Sequence, residues 1–285
     1  MVNSVKVRVP ATTSNLGPGY DCLGVALQIY NVVTVRSASR NRRAEEHPIV
    51  AEAAARFFAA SARRPFAYEW EIAGEVPASR GLGSSVTLRL GIIAGLNALA
   101  EGSLNRQTIF ELCAQLEGHP DNAAPASFGG FTACDPAGAP PLRVPVEARL
   151  HFVLLVPDFE VRTDGARSIL PTTVPRLAAV VSAGRACRIA AAFATRRYAF
   201  LRGMFTDEAF HQPYRAAFVP FMPRVIAAAE HAGALGGFLS GSGSTICGVT
   251  LKSPQRVGAA MLRASGAGGA RVIVTRADNR GYRIL

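Results

Sequence analysis

Four stretches of the chain carry residue types that could do chemistry. The first, "PASRGLGSSVTLRLGIIAGLNALAEG" at 77–102, places Gly81 and Gly83 before Ser84 and Ser85 and then repeats Val86, Leu90, Ile93 and Ala94 at helical spacing. Glycine enters left-handed backbone at no steric cost, so the pattern predicts a tight turn opening onto a helix N-terminus. Such an end presents unpaired N–H groups and a positive dipole end, which suit an anion and phosphate above all. Read locally, it is equally a helix capped by Ser84 or Ser85 that binds nothing. It is not a Walker A loop, because the only lysines are Lys6 and Lys252. A dinucleotide fingerprint fails too, for want of a glycine at Val86.

In the second stretch, "PATTSNLGPGYDCLGVAL" at 10–27, a strand runs into a small, polar loop and then a possible helix. Asn15 and Asp21 flank two glycines there, either to reach one ligand or to close local Asx-type turns. The third, "FELCAQLEGHPDNAAPASFGGF" at 110–131, has Ile109, Leu112, Cys113 and Leu116 on one helical face, with Glu111 off its centre. Gly118 ends that helix, and Pro120 both extends His119 and starts a second helix that points Asp121 and Asn122 outward. A plain helical corner with Asp121 as cap fits equally. His119 lacks a partner histidine at metal spacing, so zinc is not expected. The fourth, "GGFLSGSGSTICGV" at 236–249, alternates glycine and serine before an apolar strand, a backbone able to lie close against a ligand or to form a flexible turn.

Hydrophobic periodicity predicts strands at 5–10, 30–36, 68–72, 131–135, 150–157, 246–251 and 271–275, and helices at 49–62, 84–100, 106–116, 174–194, 219–232 and 254–264. Their mixed order argues for an α+β protein. Proline and glycine accumulate at 135–148, which divides the chain into 1–148 and 149–285.

With 285 residues, 49% of them hydrophobic, the chain can bury a sizeable core. Its net charge of +11 is almost all arginine, but the arginines are scattered and read as solvated surface, not as a nucleic-acid stripe. Five dispersed cysteines form no disulfide framework and no Cys-x-x-Cys zinc motif, as in a reduced cytoplasmic protein. The start of the chain alternates like a strand and has no signal-peptide core, and the two most apolar runs carry arginine, so no membrane span is expected.

Together, "PASRGLGSSVT" and "LSGSGST" resemble the phosphate loop and third glycine motif of the GHMP kinases. Within that family, "TTSNLGPGYDCLG", "EGHPDNAAPASFGGF", "ARSILP" and "QPYRAAFVP" are similar, in order, to the homoserine kinase branch. The resemblance implies a two-part fold, with a ribosomal-protein-like N-terminal ATP-binding half and a ferredoxin-like C-terminal half. It implies ATP and Mg2+ as cofactors, L-homoserine as acceptor and a possible homodimer, with no nucleic-acid or membrane partner. Pro77, Arg80, Gly81, Leu82, Gly83, Ser84 and Ser85 then match the nucleotide-phosphate loop, and Ser85 and Glu111 the magnesium ligands. Asn15, Asp21, His119, Asp121, Thr163, Arg167 and Arg215 match the acceptor pocket. Arg167 and Arg215 suit a carboxylate through forked donors, and Asp21 and Asp121 suit an ammonium. Asn15 or Asp21 could position the hydroxyl. Asp21 and Asp121 are the catalytic candidates, for orientation first and proton acceptance second. Val86, Thr87 and Ser244 depart tolerably from the family pattern, whereas 40–55, where the family contacts adenine, is altered. A sister kinase on another hydroxylated substrate, and a non-catalytic nucleotide or nucleic-acid binder on the same fold, are the alternatives.

Overall fold

The structure, a computed structural model, describes residues 3–39, 47–102 and 104–285; the first part of the altered segment at 40–55, residues 40–46, lies outside them. β1 (Ser4–Ser14) and β2 (Leu23–Ser37) form a long antiparallel pair. Alternation puts Val5, Val7 and Val9 of β1 on one face with Val33 and Val35 of β2, in a first core. Between Pro10 and Ala11 the partner jumps from Tyr30 to Leu27. Beyond this bulge Ala11, Val25, Leu27 and Ile29 face a second core, because an irregular register bends the pair. One ribbon therefore serves both halves of the molecule.

β3 (Tyr68–Gly74), β4 (Phe131–Ala133), β5 (Leu142–Val144) and β10 (Arg283–Ile284) complete the first sheet, in the order β10-β1-β2-β4-β5 with β3 also on β2. α1 (Pro48–Ser61), α2 (Ser84–Leu99), α3 (Arg106–Glu117) and α4 (Ala123–Phe128) cover one face of it. α2 is buried from Val86 to Leu88 and from Leu90 to Asn97, which is why it is apolar nearly all round. Gly91 and Gly95 let it lie on β2: an added Cβ would stand 2.3 Å from Val33 Cγ2 and 2.5 Å from Val35 Cγ2, respectively.

The second sheet runs β7 (Gly236–Leu239), β8 (Ile246–Thr250), β6 (His151–Val156), β9 (Arg271–Arg276), all antiparallel. α8 (Met222–His231) and α9 (Pro254–Ser265) pack on one face of it in a third core. α6 (Arg176–Ala194) joins the second core, where Phe193 stacks on Phe131 at 4.2 Å. By length and composition alone α6 could cross a membrane. Two short helices, α5 (Thr163–Ser168) and α7 (Gln212–Arg215), border the cleft between the sheets.

Two expectations are corrected. No helix follows the loop at 15–22: Leu23, Val25 and Leu27 alternate as β2, and the intervening loop is a tight reversal. The tail also crosses the division at 148. Tyr282 enters the first core and β10 pairs with β1, so the first sheet needs both ends of the chain.

Because Val33 is β-branched and stiff, Gly91→Ala should cost about 1–3 kcal/mol through overpacking. Urea denaturation reads the loss, and adding Val33→Ala should recover part of it.

Candidate active site

The 77–83 loop meets the end of β1 and the loop after β7 at close range. The Thr12 N–H donates to the Leu82 carbonyl at 3.1 Å, the Ser240 hydroxyl to the Gly81 carbonyl at 2.6 Å, and the Gly241 N–H to the Ser14 carbonyl at 3.3 Å. Gly81 and Gly83 have φ of 70° and 69°, and a Cβ on either would meet Ser240 O or Thr12 Oγ1 at 2.1 Å. Glycine is thus required twice over, for its left-handed backbone and for the close approach. These loops enclose a cavity of about 520 Å³.

At one end of the cavity α2 begins. Gly81, Gly83, Ser84 and Ser85 line it, and the first backbone bond of the helix runs from Thr87 N–H to Gly83 O. The N–H groups before Thr87 have no carbonyl within the helix to bond, as an anion site requires. Pro77, Arg80 and Leu82 do not line the cavity. Leu82 anchors the loop in the second core, and Arg80 is tied to Pro157 O at 3.0 Å, Ala78 O at 3.1 Å and Glu160 at 3.2 Å.

Ser85 Oγ donates to Glu117 Oε2 at 3.1 Å, and Arg89 pairs with the other oxygen of Glu117. Glu111, the expected partner of Ser85, is exposed and accepts instead from Gln107 Nε2 at 2.9 Å. The correction follows from helix geometry. Glu117 lies one turn beyond buried Cys113 and shares its face, whereas six residues separate Glu111 from Glu117, which turns it about 120° away. A hydroxyl and a carboxylate at the foot of an anion-binding helix end are hard oxygen donors, the kind magnesium takes together with water and phosphate oxygens. Ser85 and Glu117 therefore fit that ion.

The other end of the cavity is charged. Arg167 grips Asp21 through two bonds of 2.9 and 3.0 Å. His119 Nδ1 meets Asp121 Oδ1 at 2.5 Å, and Asp121 is 1% exposed, facing inward and not outward. Asn15 has φ 70°, accepts from the Asp21 N–H at 3.0 Å and donates to Gly241 O at 3.2 Å, so its strained backbone serves the loop junction. Thr163 opens α5 opposite Ser242, and Arg215 reaches in from α7. Asn15, Asp21, His119, Asp121, Thr163, Arg167 and Arg215 thus share one cavity with Ser84 and Ser85.

Sequence reasoning missed Tyr20 and His211, and it pointed Asn122 outward where the structure buries it. Asn122 bridges Ser14 at 2.9 Å and Thr12 at 2.7 Å. The Tyr20 ring lies 5.5 Å from the Arg167 guanidinium carbon and 5.4 Å from that of Arg215. Only the short spacing of "HQPYR" hinted at His211, which is fully buried.

Burial opposes charge on His119, but the bond to Asp121 and the charges of Asp121 and Asp21 outweigh it and raise its pKa. Burial pushes Asp121 up, yet the His119 bond and charge, with Ser14 and Arg167, bring it below the ordinary value. Desolvation, then the Arg215 charge, hold His211 down to about 3. A histidine with a depressed folded pKa binds fewer protons than the unfolded chain, so stability should fall as pH drops below 6.5 toward about 3. Comparing denaturation of the wild type and His211→Gln in that window checks the sign: the acid loss should be smaller in the variant.

The family model for the GHMP kinases N terminal domain matches residues 49–130, and that for the GHMP kinases C terminal matches 189–268. A homoserine kinase of Moorella thermoacetica is 38% identical over 90% of this chain and 91% of its own. One from Caldicellulosiruptor bescii is 35% identical over 85% and 83%. A crystal structure of homoserine kinase from Cytophaga hutchinsonii superposes with a TM-score of 0.90 at 26% identity, over 100% of this chain and 98% of that one. With both family halves matched around one phosphate-loop cavity, the chain belongs to the GHMP kinases, and homoserine kinases are its relatives along most of its length.

Proposed function

We propose that this chain is a homoserine kinase, an ATP-dependent enzyme that moves the γ-phosphate to the side-chain hydroxyl of L-homoserine and yields O-phospho-L-homoserine for threonine biosynthesis. One observation carries the acceptor class. Arg215, 2% exposed and with no acidic side chain within ion-pair distance among the described residues, lines the cavity onto which the phosphate loop opens. A buried guanidinium without a counter-charge is costly unless a ligand supplies one, and a carboxylate fits its fork. Arg167 and Asp21 form a cation and anion pair that a zwitterion can exchange for its own two charges.

The acceptor hydroxyl oxygen attacks the γ-phosphorus in line as the bond to the β–γ bridging oxygen breaks; ADP leaves, and the hydroxyl proton passes late in the step to a phosphoryl oxygen and on to water. The α2 terminus and its loop hold the phosphates. Ser85 and Glu117 are the residues that would hold magnesium, which when bound neutralises phosphate charge. Asp121, with its low pKa and its His119 partner, is a weak base suited to orientation, and a loose transition state asks for little more. Asp21 and Asn15 orient the acceptor from the first loop, and Thr163 closes the pocket from α5. Residues 1–148 carry the ATP side, with the tail completing that sheet. We assign the protein to the cytoplasm as a homodimer acting on small molecules, without nucleic acid or membrane; sedimentation tests the dimer.

ADP release should be much faster with L-homoserine than with mevalonate or galactose. No ATP consumption above background with homoserine overturns the reading, and a faster polyol or amino-alcohol would point to a sister kinase. Arg215→Lys should raise the homoserine KM by about 10- to 100-fold, the loss of a charge-assisted bond. Glu117→Gln should raise the magnesium needed for half-maximal rate by about tenfold or more, while Glu111→Gln leaves it unchanged.

A further inference from the structure

Among the described residues, Arg215 is held by neutral groups alone. Its Nε donates to the Ala166 carbonyl at 3.0 Å, and its Nη1 donates to the Gly241 carbonyl at 3.0 Å and faces His211 Nδ1 at 3.3 Å. The same imidazole meets the Gly17 carbonyl through Nε2 at 2.8 Å. A carbonyl only accepts and a guanidinium only donates, so a single arrangement satisfies both neighbours: the proton on Nε2 and the lone pair on Nδ1. Four residues separate His211 and Arg215, and the Arg215 N–H donates to the His211 carbonyl at 3.0 Å, so one helical turn puts both side chains on the same side. Tyr20 stacks on the imidazole, with centroids 5.5 Å apart and planes at 28°, and the same ring lies beside both guanidiniums.

We propose that His211 is a positioning residue for the acceptor's carboxylate: its Nδ1 lone pair fixes the Arg215 guanidinium while its Nε2–H ties that guanidinium to the loop carrying Asn15 and Asp21. The chemistry explains the choice of side chain. A carboxylate at this point would neutralise Arg215 before the acceptor arrived, and an imidazolium would turn an N–H against the guanidinium. A neutral acceptor aims the cation and leaves its charge for the ligand. Besides Tyr20, Arg215 and the charge of Asp121, which acts on the ring without a hydrogen bond to it, the titratable group near the ring is Glu208, and it is occupied by the backbone: its carboxylate accepts the N–H groups of Phe210, His211 and Gln212, with its nearest oxygen 3.8 Å from Nε2. The burial that keeps the ring uncharged agrees with this role.

The inference rests on the homoserine kinase reading, and its test separates the two. His211→Phe keeps a ring under Tyr20 but loses both polar contacts; it should raise the homoserine KM about tenfold while the ATP KM moves by less than about twofold. His211→Asn, whose carboxamide oxygen falls near the place of Nδ1, should recover most of the loss, and His211→Gln, which reaches toward Gly17, should not. An unchanged homoserine KM in folded His211→Phe, or an equal rise for ATP, overturns the proposal. Should Arg215→Lys raise the homoserine KM while the His211 variants do not, the positioning role alone fails; should Arg215→Lys have no effect, the carboxylate assignment fails first. Nitrogen NMR of the wild-type protein needs no variant: it should find His211 Nδ1 unprotonated from about pH 5 to pH 8, and a protonated Nδ1 overturns the proposal.

Discussion

Gly81 lies so close to the Ser240 carbonyl that a methyl group would stand 2.1 Å from its oxygen, and Gly83 bears the same relation to the Thr12 hydroxyl. This close packing joins the start of α2 to β1 of the first sheet and to the loop after β7 of the second, through hydrogen bonds from the Thr12 N–H on one side and the Ser240 hydroxyl on the other. The helix end is held by packing and turned toward the cavity, so its N–H groups need no rearrangement to meet a phosphate. The β1/β2 ribbon supplies the rest of the frame: its bulge lets one pair of strands back both cores, and the loop with Asn15 and Asp21 is the reversal at its end.

On this frame the charges are sorted by distance from the phosphate loop. Near it, Arg89 holds Glu117 against Ser85. Farther off, two acid–base pairs, Arg167 with Asp21 and His119 with Asp121, stand beside the unpaired Arg215. Neither the partly exposed Arg167–Asp21 pair nor the more buried His119–Asp121 pair contributes much to stability, and a lone buried cation opposes folding. Their arrangement is better understood as preparation for a ligand with charges of both signs, and for a nucleotide whose phosphates need a cation. Asn122 links the two ends by tying the turn after α3 to β1.

Much of this was legible beforehand. The three long helices of the first half stand within a residue or two of their expected bounds, because their apolar period is strong and Gly118 marks an end that the structure uses as a cap. The GHMP motifs picked out as a set residues that line one cavity, Ser84 and Ser85 together with Asn15, Asp21, His119, Asp121, Thr163, Arg167 and Arg215. Legibility failed where two periods competed. "LGVALQIY" supports a strand once its alternation is counted, yet the glycine-rich loop before it suggested a helix start. It failed again at Glu111, where matching by distance along the chain chose a carboxylate on the wrong side of α3.

By itself, then, the sequence determined the α+β class, most of the longer helices and strands, the glycines that only a crowded turn requires and the membership of a kinase family, since these depend on local periodicity and on residue types at short spacing. Tertiary structure alone decided that Glu117 meets Ser85, that Asp121 faces inward, that the tail closes the first sheet and that a neutral histidine stands behind Arg215. Each of those depends on the direction of a side chain relative to an element far away in the chain. Such directions are set by packing between elements, which no local pattern encodes.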